Sequence, residues 1–131
     1  MRFGTDYYPE HWPQERWEED ARLMKEAGFN IVRLAEFAWS KMEPWEGHFD
    51  FEWLLEALYI LHANGIQAVI GTPTAAAPAW LCTNKPEALR IDEGRRQVTF
   101  GNRQQCCYNQ PAYREASDRI VEAMAKALGS H

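Results

Sequence analysis

Cysteine is scarce in this sequence, with three residues among 131. The count is odd and no Cys-x-x-Cys is present, which argues against a disulfide scaffold. The histidines, His11, His48, His62 and His131, lack zinc-ligand spacing, so a complete zinc site within these residues is not expected. Positive charge is not in excess either. Fourteen Lys and Arg stand against 19 Asp and Glu, a formal net charge of -5. A nucleic-acid partner, which would need a basic face to neutralise phosphates, is therefore not expected. No apolar run approaches the length of a membrane span, so no membrane partner is expected. Met1-Arg2-Phe3-Gly4 has no apolar core of a secretion signal. These absences together predict a reduced, cytoplasmic protein. Gly-x-Ser-x-Gly, a P-loop and His-Glu-x-x-His are missing as well, and no finished catalytic constellation stands in their place.

Aromatic residues, by contrast, are plentiful: 6 Trp, 5 Tyr and 6 Phe. They suit a core, and they also suit pockets for ligands with apolar C–H faces, such as sugars.

Punctuation along the chain is regular. Arg2 to Tyr8 reads as a strand ended by Pro9. Pro13 opens a helix with Trp17, Ala21, Met24 and Ala27 on its apolar face, and Gly28 stops it. Asn30 to Leu34 is β-branched and reads as a second strand. A loop with Trp39, Pro44, Trp45 and Gly47 follows. Asp50 is placed to cap a helix from Phe51 to Asn64, with Leu54, Ala57, Leu58 and Leu61 inward and Gly65 at its end. Gln67 to Gly71 is a third strand. The segment from Thr72 to Gln110 reads as a long loop, with a small hairpin pairing Leu89–Asp92 with Gln97–Phe100 around Glu93-Gly94. Pro111 opens a last helix lined by Tyr113, Ala116, Ile120, Met124 and Ala127.

Alternating strands and helices imply parallel strands and right-handed crossovers. A doubly wound sheet and a (β/α)8 barrel both fit. The first turn after a strand, Tyr8-Pro9-Glu10-His11-Trp12-Pro13, has no glycine-rich phosphate cradle, which disfavours a dinucleotide site. A complete barrel needs roughly 250 residues, so the three βα units here form either a compact three-stranded domain or a piece of something larger.

In such folds chemistry gathers at the carboxyl ends of strands. Glu36 lies two residues past the second strand among aromatics. It suits a general acid, a sugar-hydroxyl acceptor or a structural ion-pair partner, and the structural and binding roles are favoured over catalysis. Glu10 and His11 are read as loop or cap contacts. Arg103 can donate a forked pair of hydrogen bonds to a hydroxyl or carboxylate, although composition alone leaves it a surface residue. Cys106 and Cys107 are adjacent, and one cysteine can serve as a single ligand of a metal site finished elsewhere.

Several ordered motifs carry a resemblance. They are Tyr7-Tyr8-Pro9-Glu10-His11-Trp12; Trp17-Glu18-Glu19-Asp20; Val32-Arg33-Leu34-Ala35-Glu36-Phe37-Ala38-Trp39-Ser40; Glu43-Pro44 with Gly47 and Phe49-Asp50-Phe51; and Gly71-Thr72-Pro73-Thr74 with Pro78-Ala79-Trp80-Leu81. Together they resemble the amino-terminal part of the family 42 glycoside hydrolases, bacterial and archaeal β-galactosidases, over nearly the whole chain. The resemblance implies an α/β fold, a partial TIM (β/α)8 barrel comprising the first three βα units with parallel strands. Residues 1–131 are then an amino-terminal fragment of the catalytic domain. It also implies retaining hydrolysis of terminal β-galactosides by two glutamates, an acid/base in an Asn-Glu pair after strand four and a nucleophile after strand seven.

No Asn-Glu dipeptide occurs in the chain. Retention requires two carboxyl groups about 5 to 5.5 Å apart across the glycosidic bond, so the isolated chain is expected to be inactive, with no catalytic residue of its own. By resemblance Arg103 matches an arginine that contacts galactose, and Glu36 matches a residue lining the site. Cys107 matches one of four structural zinc ligands in some members, the others coming from a later cluster absent here. Cys106 replaces what is more often an aromatic, and Tyr108 stands where proline is common. No cofactor is expected, and a full-length parent is expected to be a homo-oligomer acting on β-galactosides. Two rival readings are a small stand-alone sugar-binding or interaction module on the same scaffold, and a partial barrel that self-assembles edge to edge.

Overall fold

The computed structural model describes residues 1–99, 101 and 103–129. Its strands are β1 (Gly4–Asp6), β2 (Ile31–Leu34) and β3 (Gln67–Ile70). Its helices are α1 (Trp17–Glu26), α2 (Trp39–Met42), α3 (Glu52–Ala63), α4 (Ala79–Asn84) and α5 (Pro111–Leu128). The strands lie in the order β1-β2-β3, all parallel, with Asp6 opposite Arg33 and Arg33 opposite Val69. This is the α/β class, and the arrangement is that of the first three βα units of a partial barrel. The chain forms two compact units. One joins Met1–Ala35 to Phe51–Gly71, and the other joins Glu36–Asp50 to the chain from Thr72 onward.

The first unit holds the sheet with α1 and α3. Val32 and Leu34 are buried on β2, and so are Trp17, Ala21 and Met24 of α1 and Leu54, Ala57 and Leu61 of α3. Each large side chain so removed from water contributes about 1.5 to 3 kcal/mol. Trp17 is buried without an orphan donor, because its Nε1 donates to the Pro9 carbonyl at 3.0 Å. Gly28 and Gly65 end the two helices at φ +85 and +76, a left-handed turn that a side chain disfavours. The opposite face of the sheet carries Asp6, Arg33 and Val69 in one row, all exposed. Arg33 grips Asp6 with a forked contact, both arms at 3.2 Å.

In the second unit α5 is the longest element. Tyr113, Ala116, Ile120, Met124 and Leu128 recur at helical spacing and are buried. Pro111 occupies the first turn, where a missing N–H costs nothing, and the Gln110 side chain accepts from Ala112 N at 3.3 Å.

Several expected details differ. The N-cap position of α3 is Phe51, one residue past Asp50, and the Phe51 side chain supplies no cap; the Asp50 backbone N–H donates to Met42 O at 2.8 Å. The first strand is shorter than Arg2–Tyr8, because Pro9 begins a tight 3-10 turn. The long loop contains α4, and the segment before it contains α2. Both are too short for helical periodicity to reveal. The expected hairpin reduces to a bridge between Ile91 and Gln97 with Val98 N donating to Arg90 O at 2.9 Å. Its expected last residue, Phe100, lies outside the described residues, as do Asn102, Ser130 and His131. Leu89 pairs with Cys106 instead. Among the described residues no helix is long and apolar enough to cross a membrane.

Candidate functional site

Chain leaving β2 turns abruptly. Ala35, fully buried, adopts φ +78, a left-handed conformation uncommon for a residue with a Cβ. The next residue is Glu36, which is half-buried, with one carboxylate oxygen shielded from solvent. Phe37 follows, and the Arg103 guanidinium lies over its ring at 4.0 Å from the centroid. The structure thus brings Arg103 to the immediate chain neighbour of Glu36. Backbone strain recurs beside the arginine, since Gln104 has φ +57. Such outliers persist where surrounding structure fixes them, and they cluster at functional sites.

The Arg103 segment is well anchored. Gln104 N donates to Ala75 O at 2.9 Å, the buried Gln105 donates through Nε2 to Ala77 O at 3.0 Å, and Arg90 N donates to Gln105 O at 2.9 Å. The arginine itself stays exposed. A cation held over an aromatic face keeps its orientation while its N–H groups stay available in the guanidinium's own plane. That arrangement can present a planar fork of donors to hydroxyl or carboxylate oxygens.

The second unit also holds a polar hub around Glu43, a residue that the sequence shows only within a motif. Glu43 has no solvent exposure. Its carboxylate accepts from Trp39 Nε1 at 2.8 Å, from Gly47 N at 2.8 Å and from Arg119 Nη2 at 3.3 Å. Its backbone carbonyl accepts from Trp80 Nε1 at 2.8 Å. Charge-assisted donors of this kind offset the cost of burying a carboxylate. The only hint in sequence is that one acidic residue falls between helix-forming Met42 and Pro44. Nearby, Tyr113 donates to Thr74 O at 2.8 Å, and burial raises the phenol's pKa.

Glu10 is half-buried and His11 is exposed, the His11 ring lying 5.6 Å from that of Tyr8. Cys107 is half-buried and is fixed through its backbone, N–H donating to Ala88 O at 2.8 Å. Cys82 and Cys106 are buried free thiols, and burial, with Cys82 alongside, pushes the Cys106 thiol up to about 12. Among the described residues no three His, Cys, Asp or Glu side chains are grouped to hold a metal ion. Among the described residues Cys107 therefore has no companion ligands.

The fold and its loops define the class first: a βα-repeat segment whose candidate polar groups follow the carboxyl ends of parallel strands. Comparison with known proteins gives the family. The model of glycoside hydrolase family 42, described as beta-galactosidase, matches residues 6–131, and the chain belongs to that family. It is 50% identical over 126 residues to the beta-galactosidase BgaA of a Thermus species and 49% identical to a beta-galactosidase of Thermus thermophilus, each match covering 96% of this chain and 20% of the relative. Among solved structures, the beta-galactosidase of the psychrophilic Marinomonas ef1 superposes with a TM-score of 0.95 at 45% identity, covering 100% of this chain and 20% of that one. The chain thus spans about a fifth of the length of the curated relatives it matches.

Proposed function

We propose that the chain is the opening part of a retaining β-galactosidase catalytic domain, with residues 1–131 supplying three βα units and one wall of the galactose subsite. Arg103 donates to galactose hydroxyls, and Glu36 lines the same wall as an acceptor. The observation that carries this reading is the Arg103 guanidinium stacked on Phe37, beside Glu36. A hydroxyl-rich ligand rewards such fixed, oriented donors, because little side-chain entropy remains to be lost on binding. The two carboxyl groups of double displacement come from outside these residues. That chemistry needs no cofactor, and Cys107 would lend at most one thiolate to a structural zinc completed elsewhere. The substrate is a terminal β-galactoside, and the longer parent is a homo-oligomer. The three free thiols support a reducing, cytoplasmic location.

Fragment complementation tests the reading. Produced alone, the chain gives no hydrolysis of an aryl β-galactoside. Co-expressed with the part of the Thermus thermophilus enzyme beyond its match to this chain, it restores hydrolysis, with β-galactose as the first product seen by NMR. Turnover by the purified chain alone, or release of α-galactose first, would overturn it.

A further inference from the structure

Gln105, like Glu43, is a polar side chain buried in the second unit, with 4% of its surface exposed. Burying an amide costs free energy unless its donors are used. Here the side-chain amide is used twice: Nε2 donates to Ala77 O at 3.0 Å and to Cys82 Sγ at 3.6 Å. The main chain is held as well, since Arg90 N donates to Gln105 O at 2.9 Å. Two residues back stands Arg103, exposed, with its guanidinium over the Phe37 ring. Between them Gln104 adopts φ +57, a left-handed conformation that persists where surrounding structure over-determines it.

The segment is held to the loop after β3 at two points. Gln104 N donates to Ala75 O at 2.9 Å, and the Gln105 amide donates to Ala77 O. One bond fixes how near the segment lies to that loop; two bonds, on carbonyls two residues apart, also fix its direction. The loop is itself tied to α5, because Tyr113 donates to Thr74 O at 2.8 Å. A long exposed arginine takes its orientation from its backbone direction and from the ring beneath it.

We propose that Gln105 is a positioning residue for galactoside binding: by tying its segment to Ala77 it keeps Gln104 left-handed and sets the Arg103 guanidinium over Phe37. This role rests on the reading of Arg103 as a donor to galactose hydroxyls, and Gln105 acts through Arg103 without touching substrate. A fork of donors held in one orientation binds more tightly than one that must be ordered on binding. Loss of the amide therefore weakens binding more than it slows bond cleavage.

Two measurements test this role. In the chain itself, NMR reads the Arg103 side chain: protons held over the face of the Phe37 ring resonate upfield, and Phe37→Leu identifies that shift by removing the ring. Gln105→Met, similar in size but without a donor, and Gln105→Glu, which turns an ionised carboxylate on the Ala77 carbonyl, should each lose at least half of the upfield shift while the amide signals of α5 stay in place. In the complemented enzyme, Gln105→Met should raise KM for an aryl β-galactoside about fivefold, with kcat changed less than KM. In the Arg103→Ala background the same substitution should change KM by less than about twofold, because a residue acting through Arg103 has nothing left to position. No upfield Arg103 signal in the unsubstituted chain, a shift that survives both substitutions or is lost only together with the α5 signals, or equal KM increases with and without Arg103 would overturn the proposal. An unchanged KM in Arg103→Ala would instead overturn the reading of Arg103 as a galactose donor, and the NMR shift would still decide whether Gln105 orients it.

Discussion

Arg119 and Glu43 form an ion pair at 3.3 Å across 76 positions of sequence, joining α5 to the segment after α2. The carboxylate is wholly buried, whereas the arginine side chain keeps 35% of its exposure. The arginine also reaches Glu46 at 3.5 Å, and Lys85 approaches the same Glu46 at 3.4 Å.

Removing either partner is expected to destabilise the chain unequally. Arg119→Met leaves Glu43 with its Trp39 and Gly47 donors, so the loss is about 1 to 3 kcal/mol, below that of a fully buried broken pair. Glu43→Ala strands the Trp39 indole donor as well and should cost more, about 2 to 4 kcal/mol. Urea unfolding followed by Trp fluorescence measures both. Equal losses, or a larger loss for Arg119→Met, would contradict this assignment of the hub.

Gly4 is expected to tolerate no side chain. A Cβ there would sit 1.6 Å from the Ile31 carbonyl oxygen, which is backbone and cannot swing away. Gly4→Ala should push β1 off β2 and cost about 2 kcal/mol or more. Amide hydrogen exchange at Tyr7, which donates to Arg33 O at 2.9 Å, and at Asn30, which donates to Phe3 O at 2.9 Å, should speed up first. Unchanged protection at those two amides would refute the prediction.

Tyr7 sets an alkaline limit. Burial, and then the Asp20 carboxylate that accepts its hydroxyl at 3.2 Å, raise the phenol's pKa well above the ordinary value of about 10. A raised pKa means that the folded state holds the proton more tightly than the unfolded chain. The resulting stability is complete below about pH 10 and is lost as pH rises from there toward the folded value. Tyr7→Phe should flatten that part of the stability-against-pH curve. Phenolate absorbance should show Tyr7 and Tyr113 titrating later in the folded chain than in urea, and Tyr7→Phe should remove one of these two late titrations. An equal alkaline loss in Tyr7→Phe would count against it.

Arg103 should not be replaceable by lysine. In the complemented enzyme, Arg103→Ala and Arg103→Lys should both raise KM for an aryl β-galactoside by about tenfold or more, because an ammonium lacks the planar fork and stacks less well on Phe37. Urea unfolding of the chain should change little, since the side chain is exposed. Full rescue by lysine would reduce Arg103 to a point charge.

Much of the sheet was legible because β-branched runs bounded by Gly, Pro and Asn leave few options. The faces of α1, α3 and α5 followed from residue spacing; Ala21, Met24, Ala57, Leu61, Ala116 and Ile120 are buried where periodicity puts them. Other features were hidden for physical reasons. A helix of four residues, such as α2, carries no period. Asp50 has the chemistry of a cap, but backbone geometry gave that place to Phe51. Leu89 looked like one arm of a local hairpin, and its partner proved to be Cys106, because pairing across a longer loop is not encoded in local pattern. Glu36 and Arg103 were singled out one at a time in sequence, and only the fold brings Phe37 beneath the arginine. Glu43 is the clearest omission, since nothing in a Glu-Pro dipeptide announces a buried carboxylate with three donors.

Among the described residues β1 and β3 are each paired along a single side, and all three strands run the same way. A copy joining edge to edge with its polarity preserved would set its β1 against the first copy's β3, a head-to-tail bond that exposes a fresh β3 each time. Growth by that rule is heterologous: it closes into a ring or continues as a fibre according to the rotation per step, and it never ends as a two-fold dimer.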